Sequence, residues 1–241
     1  MSSKGWIIFG GIIVLVFAGA IYLSKQNRIN VDGVDIAKVI IGSADNGNIA
    51  DHTFGNKDAK VVLIEYGDYQ CPGCAAAAPV IKDATNKYND KVLLIFRNKL
   101  IPGHANSRAA ASFAEAAGLQ GKYWEMHDKL YASQTSWESL SSADRTSYFL
   151  GLAKDLGLDE AKVNTDVASD AIAKKIDFDE ALATKRGVTG TPSIYLNGTI
   201  VEQHYKDNAI TTNTNDSFVW SDATAFENLI LIPALKNAGV L

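Results

Sequence analysis

The stretch from Val61 to Arg97 constrains the fold more than any other part of the 241-residue chain. Val61 to Tyr66 (VVLIEY) and Lys91 to Arg97 (KVLLIFR) are continuous β-prone runs of the kind found in strands buried on both faces. Between them, Ala77, Ile81, Ala84 and Tyr88 recur at helical spacing and predict a helix packing one face on a sheet. Strand, helix, strand implies a parallel pair, because a parallel connection needs a crossover. The loop that closes the first strand and opens the helix reads Cys71-Pro72-Gly73-Cys74, and it holds both cysteines of the chain.

The pattern then changes twice. From about 105 to 186 it is helical almost throughout, with caps expected at Ser107, Ser142 and Thr165 and ends marked by glycines 118, 121, 157 and 187. Trp124, Met126, Leu130, Tyr131 and Trp137 read as packing inside this helical segment. Sheet character resumes at Ser193 to Leu196 (SIYL) and Thr199 to Gln203 (TIVEQ), joined by Asn197-Gly198, a favoured two-residue hairpin turn. A polar loop follows, then a final helix from Ser221 or Thr224, bent at Pro233 and ended by Gly239. The expected order is βαβ, a helical insertion, ββα.

The N-terminus is set apart by Trp6 to Leu23, an uncharged apolar run that would measure roughly 27 Å as a helix. Residues 1–23 are therefore expected to be a transmembrane helix, an uncleaved anchor in preference to a cleaved signal peptide. Lys4 on one side and Lys25 with Arg28 on the other nearly cancel, so charge does not set its orientation. Residues 24–53, rich in Asn, Asp and Gly, read as a polar tether, with KVIIG at Lys38 to Gly42 able to add an edge strand; residues 54–241 form the main domain. A net charge of −4 offers no clustered cations for phosphates, and nucleic acid is not an expected partner.

A cysteine that follows a strand and opens a helix has its sulfur near unpaired backbone N–H groups and the positive end of the helix dipole, which favours thiolate. Pro72 loses no hydrogen bond in the first turn, and Cys74 falls one turn on, within bridging distance. An exposed sulfur of low pKa that attacks, and a more buried one that resolves the mixed disulfide, fit this spacing. Three readings compete. A structural disulfide closing so short a loop removes little chain entropy. Half a zinc site lacks further cysteines, and His52, His104, His127 and His204 have no ligand spacing. Inert core thiols sit poorly with Pro-Gly at a helix opening. His104 and His127 read as surface or capping residues.

The run KDAKVVLIEYGDYQCPGC resembles the start of DsbA-like thioredoxin-fold proteins, in their membrane-anchored or secreted bacterial branch. QGKYWEMHDKL at Gln120 to Leu130 resembles that branch's helical insertion, and GVTGTPSIYLNG at Gly187 to Gly198 its return to the sheet. The resemblance runs from about Phe54 to Gln203 and leaves the loop from His204 to Val219 unmatched. It implies a thioredoxin fold with an all-helical insertion, with Cys71 as nucleophile, Cys74 as resolving thiol and Pro79 as the proline that kinks the first helix. It also implies that Glu65 is a buried acid able to relay protons, where the plain reading is a strand-end carboxylate in solvent. Thr191-Pro192 resembles the cis-proline loop that offers backbone groups to an extended substrate. Asp68 and Tyr69 are assigned to the rim of the site.

The function implied is thiol-disulfide exchange with client proteins outside the cytoplasmic membrane, with no cofactor beyond the Cys71–Cys74 disulfide. The favoured direction is oxidation of client thiols, with a membrane quinone-linked reoxidant of the DsbB or VKOR type implied by resemblance alone. Gly73 departs from the pattern, since oxidising members carry His or Tyr there, and this shifts the expected potential toward reducing values. Reduction or isomerisation is the alternative, and a tethered binding module without redox turnover is an alternative of another class.

Overall fold

A computed structural model of the chain describes residues 11–17, 19 and 29–241. It groups the chain into two units, Met1–Asn30 and Val31–Leu241. In the first, residues 11–17 are helical. The expected membrane span, Trp6 to Leu23, lies largely outside the described residues, and among the described residues no helix is long and apolar enough to cross a membrane.

The second unit is built on a five-stranded sheet in the order β1-β3-β2-β4-β5. The runs expected to be strands become β2 (Val61–Gly67) and β3 (Val92–Asn98), paired in parallel through α1 (Pro72–Lys87). β4 (Ser193–Leu196) lies antiparallel to β2, and β5 (Thr199–Ile200) antiparallel to β4. The turn between them has φ of 45° at Asn197 and 86° at Gly198, both in the left-handed region that this hairpin requires. β5 stops short of the expected Gln203.

The far edge is β1 (His52–Gly55), antiparallel to β3, and not the expected KVIIG strand. Ile40 instead exchanges bonds with Asp51: its N–H donates to Asp51 Oδ2 at 2.9 Å, and its carbonyl accepts from the Asp51 N–H at 2.8 Å. Within the segment read as a tether over 24–53, residues 36–51 are thus fastened to the domain. Asn46, Ile49 and Asp51 are buried, and Arg97 donates to the carbonyls of Ile36 and Lys38, both at 2.7 Å. A polar composition misleads here because a buried arginine supplies the donors that water would otherwise provide.

The helical insertion comprises α2 (Ser107–Gly118), α3 (Tyr123–Ala132), α4 (Gln134–Trp137), α5 (Ser142–Asp155), α6 (Glu160–Asp166) and α7 (Asp170–Arg186). Its core holds Phe113, Met126, Leu130, Trp137 and Phe149, and it joins Tyr69, Cys74 and Phe96 at the end of the sheet. The caps differ from expectation: Ser141, Asp159 and Ser169 accept the first-turn N–H bonds. Ser107 is already helical, and its hydroxyl is drawn inward to Asp68.

A second cluster packs α1 and the C-terminal helix on the sheet through Val61, Leu63, Ile81, Ile194, Phe226 and Leu231. That helix begins at α8 (Ala223–Ala225), capped by Asp222, passes through a π-helical stretch at Phe226–Leu231, and ends in α9 (Ile232–Asn237). The loop from His204 to Val219, which no motif accounts for, folds into a small sheet of its own. β6 (His204–Lys206) lies between β7 (Ala209–Thr211) and β8 (Ser217–Phe218).

Candidate active site

The site forms where β2 ends and α1 begins. Cys71 is the N-cap of α1 in extended conformation, with Pro72 opening the helix, and Cys74 lies one turn in. Cys71 is partly exposed and Cys74 fully buried, and both are thiols. The two sulfurs differ sharply in acidity. The Cys71 thiol is brought down to about 5, chiefly by a hydrogen bond from Cys74, with Thr191 and the backbone N–H groups of Cys74 and Gly73 helping against partial burial. Burial pushes the Cys74 thiol well above its ordinary value, and its hydrogen bond to Cys71 adds to the rise. A thiolate that accepts a bond from its neighbour's S–H accounts for both shifts.

The loop preceding Cys71 is held from all sides. The Asp68 N–H donates to Cys74 Sγ at 3.5 Å, and the Cys71 N–H donates to the Asp68 carbonyl at 3.0 Å. The Asp68 carboxylate accepts from the N–H groups of Gln70 and Ile101, each at 2.7 Å, from the Ser107 hydroxyl, and contacts His104 Nδ1 at 2.9 Å. From α4, Gln134 donates to the carbonyls of Tyr69 at 2.7 Å and Cys71 at 3.0 Å. The helical insertion therefore fixes the backbone that presents the two sulfurs.

Asp68 and Tyr69 are consequently not rim residues, since both are fully buried. Tyr69 donates to the Tyr123 hydroxyl at 3.1 Å and packs against Phe96 and Tyr131. His127 is likewise buried among Tyr69, Phe96, Trp124 and Tyr131, against the expectation of a surface residue. Burial holds its imidazole below the usual range and so favours the neutral ring. Sequence spacing carries no signal for these placements, because their partners come from elements far apart in the chain.

Glu65 lies in the middle of the sheet, paired with Phe96 on one side and Ile194 on the other, and is 1 % exposed. Among the described residues its Oε1 has no hydrogen-bond partner. Burial raises its carboxyl to about 8, and the charge on Cys71 adds to the rise. The solvent-facing reading of Glu65 is excluded. A carboxyl in this state can hold or release a proton near neutrality.

Across from the cysteines, the Thr191–Pro192 peptide is cis. Cys71 Sγ lies 3.4 Å from the Thr191 carbonyl oxygen, so the loop expected to meet substrate does face the sulfur. Among the described residues no group of three or more His, Cys, Asp or Glu side chains is arranged to hold a metal ion.

The comparisons agree with this geometry. A family model described as thioredoxin matches residues 47–214. A Na(+)/H(+) antiporter NhaA 1 of Salinispora arenicola is 34% identical over 169 residues, which cover 70% of this chain and 25% of that protein. The chain thus matches only about a quarter of the length of such curated relatives. Among solved structures, a thioredoxin-like oxidoreductase from Silicibacter pomeroyi DSS-3 superposes with a TM-score of 0.58 at 26% identity, covering 83% of this chain and 99% of that one. The thiol-disulfide exchange protein alpha-DsbA2 of Wolbachia pipientis gives 0.54 at 27% identity, covering 62% and 77%. The chain belongs to the thioredoxin family, and its fold is similar to those of this thioredoxin-like oxidoreductase and this thiol-disulfide exchange protein.

Proposed function

We propose that this chain oxidises client thiols outside the cytoplasmic membrane through the Cys71–Cys74 pair. The observation that carries the reading is the opposed acidity of the two sulfurs, with Cys71 held as thiolate near neutrality and Cys74 kept as thiol. A stabilised Cys71 thiolate favours the reduced protein over its disulfide, and that is what makes a dithiol couple oxidising.

In the forward direction a client thiolate attacks Cys71 Sγ of the disulfide. A client–Cys71 bond forms, the Cys71–Cys74 bond breaks, and Cys74 leaves as thiolate and takes a proton. Glu65, carrying a proton until about pH 8 and electrostatically coupled to Cys74, serves as the donor for that step. A second client thiolate then attacks the client sulfur and expels Cys71 as thiolate, so two electrons pass from client to protein. Thr191 and Pro192 hold the client backbone by strand addition during both steps. A membrane quinone-linked protein of the DsbB or VKOR type restores the disulfide.

Placement at the membrane is supported by the apolar run Trp6 to Leu23 and by curated relatives named as antiporters in which the matching segment forms part of a longer chain. Gly73 favours the second reading, reduction or isomerisation, because no side chain from that position adds to thiolate stabilisation. Equilibration with glutathione decides between them. Oxidation predicts a potential between about −270 mV and about −120 mV, the thioredoxin and DsbA values. A potential at or below the thioredoxin value would establish the reductase, and capture of partners by Cys71→Ser at the parental level would establish a binding module. Cys74→Ala is expected to accumulate mixed disulfides with clients, which diagonal gels resolve.

A further inference from the structure

The sulfur that has to leave and return during exchange is Cys74, and its surroundings oppose the charge it must carry. Burial, Cys71 and Glu65 all push its thiol up, whereas the Asp68 N–H, 3.5 Å from Cys74 Sγ, draws it down. A backbone donor aimed at a buried sulfur favours the thiolate over the thiol. That donor belongs to a residue whose side chain is itself tightly held.

Asp68 is the first residue after β2, and it is fully buried. Both of its carboxylate oxygens are used twice. Oδ1 accepts from the Gln70 N–H and the Ser107 hydroxyl, and Oδ2 accepts from the Ile101 N–H and lies 2.9 Å from His104 Nδ1. One partner closes the loop on itself; the other three come from the connection between β3 and the first turn of α2. A carboxylate suits this place because it is acceptor-only, whereas an amide would turn N–H groups toward some of these donors.

The carboxylate is engaged with these groups, and it is the main chain of Asp68 that meets both cysteines. Its N–H donates to Cys74 Sγ, and its carbonyl accepts from the Cys71 N–H at 3.0 Å. Fixing the side chain therefore fixes the donor against the first turn of α1. The Cys71 thiolate is held by other groups: Cys74, Thr191 and the N–H groups of Cys74 and Gly73.

We propose that Asp68 is a positioning residue whose carboxylate clamps its own N–H on Cys74 Sγ, so that Cys74 can leave and attack as thiolate. When a client thiolate opens the disulfide, the electron pair of the broken S–S bond passes to Cys74 Sγ, and the N–H meets that charge until a proton arrives. In the reverse step Cys74 gives up its proton, attacks Cys71 Sγ and expels the group bound there, with the same N–H on the attacking sulfur. The proposal rests on the reading of Cys71 and Cys74 as the exchanging pair.

The test mixes the reduced full chain with an excess of the symmetric disulfide of thionitrobenzoate in stopped flow. Cys71 thiolate attacks first, forming the Cys71–thionitrobenzoate bond and releasing one coloured thiolate. Cys74 then loses its proton to solvent, attacks Cys71 Sγ, closes the internal disulfide and releases the second. The first rate scales with reagent and the second does not, which separates them. Asp68→Asn should slow the second release on the order of tenfold and leave the first within about twofold, as expected for one hydrogen bond to a charged sulfur. A loop that was merely loosened would slow both. His104→Ala removes the partly exposed partner and carries the same test if Asp68→Asn does not fold, with the second release about threefold slower. Equal slowing of both releases, or a second release as fast as the parental one in either variant, would overturn the proposal. A parental protein that released only one thiolate would end the exchange reading and the positioning with it.

Discussion

Two neighbouring strands bury charge in opposite ways. On β3, Arg97 is fully buried and every part of its guanidinium has a partner: Asp51 Oδ2 at 2.7 Å, the Ile36 and Lys38 carbonyls, and the Tyr66 hydroxyl at 3.2 Å. The network continues through Lys175, 2.7 Å from Asp179 and 3.4 Å from Asp51, and through Asn98, which donates to Glu115 at 3.0 Å. On β2, one residue out of register with Arg97, Glu65 is equally buried with one oxygen unpartnered among the described residues. Arg97, Lys175 and Asp51 are held in their charged forms, whereas burial raises the Asp179 carboxyl in spite of Lys175. Burial pushes Asp51 up, yet Lys175 and Arg97 hold its carboxyl below the usual range. Burial, unopposed by a neighbouring cation among the described residues, carries Glu65 to about 8. Equal burial thus gives a structural charge where partners exist and a transferable proton where they do not.

The largest effect expected from breaking this contrast is at Arg97. Arg97→Met leaves Asp51 buried opposite Lys175 alone and should cost about 3–5 kcal/mol in urea unfolding. A loss below about 1 kcal/mol would mean that the network is not what holds the 36–51 segment to the sheet.

Glu65→Gln should move activity more than stability. Formation of the client–Cys71 mixed disulfide is expected to slow on the order of 10²-fold if the carboxyl supplies the proton to the departing Cys74. The pH dependence has a definite sign. The folded protein keeps a proton on Glu65 between the ordinary value of 4.5 and about 8, where the unfolded chain has lost it. Stability is therefore lost as pH rises through that window. Glu65→Gln should remove that fall, visible as a flatter melting temperature against pH, and an unchanged slope would show that Glu65 titrates normally.

A smaller change sharpens the same point. Burial is the larger cause of the Glu65 shift and the Cys71 charge the lesser. Cys71→Ser should therefore lower the carboxyl value and still leave it above 4.5, as read by carboxyl chemical shifts. A return to the ordinary value would make the thiolate the dominant cause.

The contrast also marks what can be read from residues alone. β2, α1, β3 and the hairpin are legible because their signals are local: continuous β-prone runs, helical spacing from Ala77 to Tyr88, and Asn197-Gly198. Cys71, Cys74 and Pro192 are legible because their motifs are short and contiguous. The charge network is not, since Arg97 meets partners from the 36–51 segment and from β2, while Lys175 and Asp179 join it from α7, and no spacing rule connects them. The same holds for Gln134 and Asp68, whose importance lies in which backbone groups they hold. The appended sheet leaves no signal because its strands are two or three residues long, too short for alternation to show. Over 36–51 the tether expected from composition is instead fastened, because polar composition does not amount to solvent exposure when Arg97 reaches two backbone carbonyls there.

The central claim is that the fold makes Cys71 acidic while leaving Cys74 a thiol. Alkylation of the reduced protein with iodoacetamide, followed across pH with residue 71 resolved by peptide mass, tests it most directly. A midpoint near pH 5 with Cys74 unreactive is expected; a midpoint near the ordinary thiol value, or equal alkylation of both sulfurs, would contradict it.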